Sequence, residues 1–125
     1  MNLVDSSGWL EYLGEGANAD FFASAIGNQA KLIVPTICIY EVFKRMKAMR
    51  GEEEATRAVG VMSLGELISL DRQIAMNAAL LSVEFSLPLA DSIILATARS
   101  RDAILCTQDA HFKGIDHVRF IEKRK

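Results

Sequence analysis

The chain has 125 residues, half of them apolar and 24% charged, which suits one compact domain over 1–125 with a core that needs no disulfide or metal staple. Its formal net charge of −2 excludes a global pull toward nucleic acid or anionic membrane, so any such site has to be a local patch. No uninterrupted apolar run approaches bilayer-spanning length, and "MNLVDSSGWL" lacks the segments of a secretory leader; the expectation is a cytoplasmic protein without membrane contact.

In chain order, "NLVD" predicts a short apolar strand ending in an acid. "SSGWLEYL" predicts a short helix behind cap-type residues, with Trp9, Leu10 and Leu13 on its apolar side. Residues 16–29 carry Phe21, Phe22, Ala25 and Ile26 at helical spacing, and "KLIVP" is a second strand closed by Pro35. "PTICIYEVFKRMKAMR" predicts a helix starting at Pro35 or Thr36, with Ile39, Tyr40, Phe43 and Met46 on one face. "GEEEATRAVGVMSLG" opens with acids that complement a helix dipole. "ELISL" is a third strand, 71–86 a further helix, and "LPLADSIILATARS", residues 87–100, a helix buried nearly all round. "AILCT" is a fourth strand, "DAHFK" a short helical turn, "VRFIE" a fifth strand and "EKRK" a solvated tail. Cys38 and Cys106 lie in apolar runs and read as buried, reduced residues. With His111 and His117 they make no zinc-like spacing.

Short strands, apolar on consecutive positions and separated by helices, predict a central, mostly parallel five-stranded sheet covered on both faces. Ligands of such sheets bind beyond the carboxyl ends of the strands. Asp5 ends the first strand; Thr107 and Asp109 follow the fourth. Glu41 lies about two turns into the helix after the second strand, and Asp91 lies in the first turn of the helix before the fourth. Each acid also has a bland reading. Asp5 and Asp109 can cap the helical turns that follow them, and Glu41 can pair with Arg45 at i+4 on a solvated face. Asp91 shares its face with Ile94, Leu95 and Ala98, so it must be paired, capping or bound to a cation. Four carboxylates without basic partners would repel one another, and a divalent cation reverses that cost. Oxygen donors favour Mg2+ or Mn2+ over zinc, and such an ion suits phosphodiester hydrolysis.

The sequence resembles the PIN-domain ribonucleases, and among them the VapC-type toxins of type II toxin–antitoxin systems. The resemblance rests on "LVDSSGWL", "VPTICIYEVFKR", "LPLADSIILATA" and "ILCTQDAHF", in that order, and covers nearly the whole chain. It implies a three-layer α/β/α sandwich and RNA cleavage dependent on Mg2+ or Mn2+. Matched by motif, Asp5, Glu41, Asp91 and Asp109 are the implied metal-binding and catalytic acids, and Ser6, Ser7 and Thr107 the supporting hydroxyl groups. The resemblance also implies a homodimer and a cognate antitoxin. With the motif set in view, metal ligation is preferred to capping for Asp91.

Lys44, Arg45, Lys47 and Arg50 form either a solvated helix face or a phosphate-contacting rim, to which Arg99 and Arg101 would add. Trp9, Tyr12, Phe21 and Phe22 read mostly as core, and any left exposed would form a groove for a partner helix. The rival readings are a non-catalytic RNA-binding domain and a receiver-like interaction domain. The receiver reading lacks paired acids after the first strand and a late lysine outside the tail; "DSSG" likewise lacks the second acid of haloacid-dehalogenase-like phosphatases.

Overall fold

A computed structural model describes residues 1–124, so the expected solvated tail extends past them at Lys125. The elements are β1 (Asn2–Val4), α1 (Ser6–Leu13), α2 (Ala19–Gly27), β2 (Leu32–Pro35), α3 (Thr36–Arg50), α4 (Glu52–Met62), β3 (Glu66–Ile68), α5 (Arg72–Phe85), α6 (Leu89–Ser100), β4 (Ile104–Thr107) and β5 (Val118–Phe120). Short 3-10 turns occupy Gln29–Lys31 and Ala110–Phe112. The strands form one sheet in the order β3-β2-β1-β4-β5, and every pairing is parallel.

Parallel neighbours need crossovers, and crossovers are right-handed. Running β1 to β2 to β3 sends α1 to α4 over one face; the jump back to β4 sends α5 and α6 over the other. The contacts follow this division: α1 packs on α2 and α3, α3 on α4, and α5 on α6. The result is the expected three-layer α/β/α sandwich. The central strands are buried on both faces, with Leu3, Val4, Ile33, Val34, Leu105 and Cys106 all fully inside. At the edge, β3 leaves Glu66 and Leu67 exposed. The strand order reverses between β1 and β4, and the crevice beyond their carboxyl ends is the fold's natural ligand position.

Local chemistry explains how α1 sits so close to β1. Asp5 caps α1 by accepting the Gly8 N–H at 2.9 Å. A Cβ on Gly8 would lie 2.6 Å from the Phe22 ring and 2.7 Å from Val4, so only glycine fits. α6 is buried at every position from Ser92 to Ala98, as its sequence predicts. Asp71 caps α5 through the Ile74 N–H at 2.8 Å, and Ser86 ends that helix in the left-handed region at φ 55°.

Three expectations need correction. The inward face of α3 is Cys38, Val42 and Met46, and Tyr40 is 59% exposed. The helix expected over 16–29 is shorter, beginning at Ala19 and ending at Gly27. The tail is not simply solvated: the Glu122 carbonyl accepts from Asn18 at 3.0 Å, and Lys123 reaches the cavity described below. Cys38 and Cys106 are free and buried. Among the described residues no single helix is long and apolar enough to cross a membrane; α5 and α6 pass that test only jointly, bent by 116°.

Candidate active site

A cavity of about 500 Å³ opens at the carboxyl edge of the sheet. Asp5, Glu41, Asp91 and Asp109 all line it, together with Ser6, Ser7, Gln108, Arg45, Arg50 and Lys123. Four different elements deliver the acids. Asp5 follows β1, Asp109 follows β4, Glu41 projects from α3 and Asp91 from the first turn of α6. α3 and α6 touch one another, which carries Glu41 and Asp91 to the same place from opposite faces of the sheet.

Asp5 is 2% exposed and held by two hydroxyl groups besides its cap. Ser7 Oγ donates to both carboxylate oxygens at 2.8 and 3.0 Å, and Thr107 Oγ1 donates to Oδ2 at 2.6 Å. Thr107 also accepts the Asp109 N–H at 2.9 Å, so one hydroxyl ties the ends of β1 and β4 together. Burial pushes the Asp5 carboxyl from 3.8 up to about 6, against the pull of those hydrogen bonds and with a further upward push from Asp109.

Glu41 is not paired with Arg45. Ser6 Oγ donates to Glu41 Oε1 at 2.6 Å, while Arg45 Nε turns to Met49 Sδ at 3.3 Å. Asp109 caps its 3-10 turn through the His111 N–H at 2.9 Å. Asp91 caps nothing: Pro88 precedes α6 without a side-chain cap, and among the described residues the Asp91 carboxylate is hydrogen-bonded only to His111. Burial first, then the charge of Asp109, raise the Asp91 carboxyl from 3.8 to about 6.

His111 is the residue that sequence reading passed over. Its Nδ1 lies 2.9 Å from Asp91 Oδ2 and 3.0 Å from Asp109 Oδ1, and chiefly the charge of Asp109 raises its pKa. Its place two positions after Asp109 was visible in "TQDAHF", but its contact with Asp91 is visible only in the fold. Asn18 and Gln108 form a second buried support, joined by a 2.9 Å hydrogen bond beside the cavity.

Of the basic residues singled out for RNA contact, Arg45 and Arg50 line the cavity. Lys44 sits over the Tyr40 ring at 5.6 Å in a neighbouring depression, and Lys47 is not part of the lining. Arg99 lies over the Phe85 ring at 5.5 Å, about two turns along α6 from Asp91. Arg101 is committed to Glu66 at 2.6 Å. Trp9 and Phe22 are fully buried; Tyr12 and Phe21 are partly so, and Tyr12 lines a depression with Leu13, Ala19 and Ala23.

The acids gather at the switch point of a parallel sheet, where ligands of such sheets bind. The chain belongs to the PIN domain family, whose model matches residues 3–118. Its fold is that of a toxin–antitoxin complex component from Klebsiella pneumoniae, 25% identical over 95% of this chain and 96% of that one, with a TM-score of 0.81. It is also that of VapC20 from Mycobacterium tuberculosis, a sarcin–ricin loop cleaving toxin, 15% identical over 100% of both chains with a TM-score of 0.77. VapBC2 from Rickettsia felis, bound to a DNA fragment from its promoter, matches at 14% identity over 97% of both chains, with a TM-score of 0.74. Comparison with curated proteins gave no match.

The donor set fits a divalent cation. Carboxyl groups raised to about 6 by burial and by one another are what a cation of charge +2 relieves, and oxygen donors dominate the cavity.

Proposed function

We propose that the protein is a metal-dependent ribonuclease, the toxin of a toxin–antitoxin pair. One observation carries the reading: four carboxylates from four elements line one cavity at the topological switch point. Asp5, Glu41, Asp91 and Asp109 would hold Mg2+ or Mn2+, which when bound supplies an activated water and offsets charge developing on phosphorus. Ser6 orients Glu41, while Ser7 and Thr107 fix Asp5, so these carboxylates meet substrate without rearranging. Arg45, Arg50 and Lys123 at the rim supply positive charge for the RNA backbone. Lys44, Lys47 and Arg99 are weaker candidates by position. A narrow cleft admits unpaired backbone more readily than a duplex, so single-stranded or loop RNA is the favoured substrate.

Two partners follow. The Klebsiella relative is a toxin–antitoxin complex, which supports a cognate antitoxin here. The depression lined by Tyr12, Leu13, Glu15, Ala19, Asp20 and Ala23 offers a mixed apolar and acidic seat for a partner segment. A second copy of the chain is supported by α5, where Met76, Leu80 and Val83 form an exposed stripe at i, i+4 and i+7, continued by Leu89.

The test is cleavage of structured RNA by purified protein with Mg2+ or Mn2+, beside a chelator control and an Asp5→Asn control. Metal-dependent cleavage abolished by the substitution is the expected result. Cleavage that persists in chelator, or none with either ion, would overturn the proposal.

A further inference from the structure

We infer that His111 is a metal ligand which, with Asp91 and Asp109, gives the cavity a mixed nitrogen and oxygen donor set and shifts its preference from Mg2+ toward Mn2+. The inference rests on the reading of the cavity as a divalent-metal site and adds the ion that this chain selects.

Geometry comes first. One donor atom from each of Asp91, Asp109 and His111 lies within 4.8 Å of the other two. The Nδ1 separations of 2.9 Å from Asp91 and 3.0 Å from Asp109 match adjacent corners of an octahedron. Donors about 2.1 Å from an ion stand about 3 Å apart at such corners.

The ring is also placed rather than left to wander. Asp109 fixes the His111 N–H at 2.9 Å, and the next residue, Phe112, is buried to 0% exposure and anchors the turn. His111 itself contributes nothing to the core, since its side chain is 56% exposed. A ring turned onto two carboxylates by an anchored backbone serves those carboxylates, not the packing.

Donor chemistry then decides the ion. Mg2+ is a hard ion that keeps waters and oxygen ligands, whereas imidazole suits first-row transition ions. Asp91 and Asp109 line the cavity and His111 meets both of them from outside its lining, so the nitrogen enters through this trio, while Asp5 and Glu41 on the cavity wall offer only oxygen. On binding, the ion takes the place of the Nδ1 proton, which passes to solvent, and Nε2 keeps its hydrogen.

The experiment uses the full chain and Mn2+ as a paramagnetic probe. Pulsed electron paramagnetic resonance reads nitrogen coupling directly, and competition titration reads the preference of Mn2+ over Mg2+. His111→Asn puts an amide oxygen near the place of Nδ1 and makes the donor set all oxygen. Bound Mn2+ in the parent should show imidazole nitrogen coupling, absent in His111→Asn, and the Mn2+ preference should fall about tenfold or more. Parent Mn2+ without nitrogen coupling, or coupling that survives in His111→Asn, would overturn the inference. If that same protein still cleaves RNA with metal, the nuclease reading stands and His111 only braces Asp91 and Asp109. Failure to bind either ion would overturn both.

Discussion

Replacing Asp91 with Asn separates its charge from its shape. The carboxylate meets one partner, His111, and caps no backbone N–H, so Asn forfeits little local structure. Burial and the charge of Asp109 lift the carboxyl from 3.8 to about 6, a displacement equivalent to about 3 kcal/mol against the ionised form. The side chain keeps 15% exposure and opens onto the cavity, and screening there trims the figure to on the order of 1–2 kcal/mol. A carboxyl with a raised folded pKa holds its proton more tightly in the folded chain. That stability is fully present below the unfolded value of 3.8 and is lost as pH rises through about 6. Asn escapes the loss. Metal-free Asp91→Asn should therefore melt about 4–8 °C above the parent near neutral pH, and beside it below about pH 3.8. Saturating metal should raise the parent's melting temperature and raise that of the variant less. RNA cleavage should fall about 100-fold. Melting curves with chelator and with metal, run at both pH values beside a cleavage assay, measure all of this. An Asn variant that melts with the parent near neutral pH and cleaves at the parent rate would refute the reasoning.

Asp5 titrates with the same sign, so the metal-free parent should lose stability between about pH 4 and about pH 6 and recover it when metal is added; calorimetry across that range checks it. Thr107→Val removes the 2.6 Å bond to Asp5 and the acceptor for the Asp109 N–H, and should cost about 1–3 kcal/mol in urea unfolding along with metal affinity. Ser6→Ala releases Glu41 and should lower cleavage about tenfold while the melting temperature stays close to the parent's. Val83→Asp places a charge in the exposed α5 stripe and should turn a dimer into a monomer by light scattering, with no change in the helix content read by circular dichroism.

The sheet was legible because its central strands carry apolar residues on consecutive positions. Leu3 with Val4, Ile33 with Val34, and Leu105 with Cys106 show the pattern that only strands covered on both faces adopt. α6 was legible for the same reason, its run from Ser92 to Ala98 being buried throughout. α3 misled because two apolar stripes overlap in it. Ile39, Tyr40 and Phe43 are larger, yet Cys38 and Val42 face inward, and a tyrosine with its hydroxyl in water costs little. The convergence of Asp5, Glu41, Asp91 and Asp109 could be anticipated from topology, since Asp5, Glu41 and Asp109 come after the carboxyl ends of β1, β2 and β4 and Asp91 starts the helix that runs back to the amino end of β4. The contact of His111 with Asp91 could not, because it depends on how a 3-10 turn after β4 meets the first turn of α6. Lys123 escaped for a similar reason, since a basic tail gives no sign of the surface it folds back against.

Capping and metal binding were rival explanations for these acids; at Asp5 the cap is observed, and it leaves the side chain on the cavity wall where the proposed function would use it. An ionised carboxylate has about four acceptor positions on its two oxygens. Gly8, Ser7 and Thr107 engage both oxygens of Asp5 while its side chain still lines the cavity. The cap fixes the carboxylate and the start of α1 lends it a favourable dipole, yet burial still lifts its pKa to about 6. Local hydrogen bonding therefore positions the charge without fully compensating it. Asp109 repeats the pattern with its own 3-10 turn. Asp91 does not: it has no backbone N–H to satisfy, and its hydrogen-bond partner among the described residues is His111. Chains of this fold that needed only stable helices would place an apolar residue there, in line with the buried run from Ser92 to Ala98 that follows. Burial and the charge of Asp109 disfavour an ionised carboxylate at that position in the free protein, and under the proposed function a cation in the cavity it faces would offset that cost.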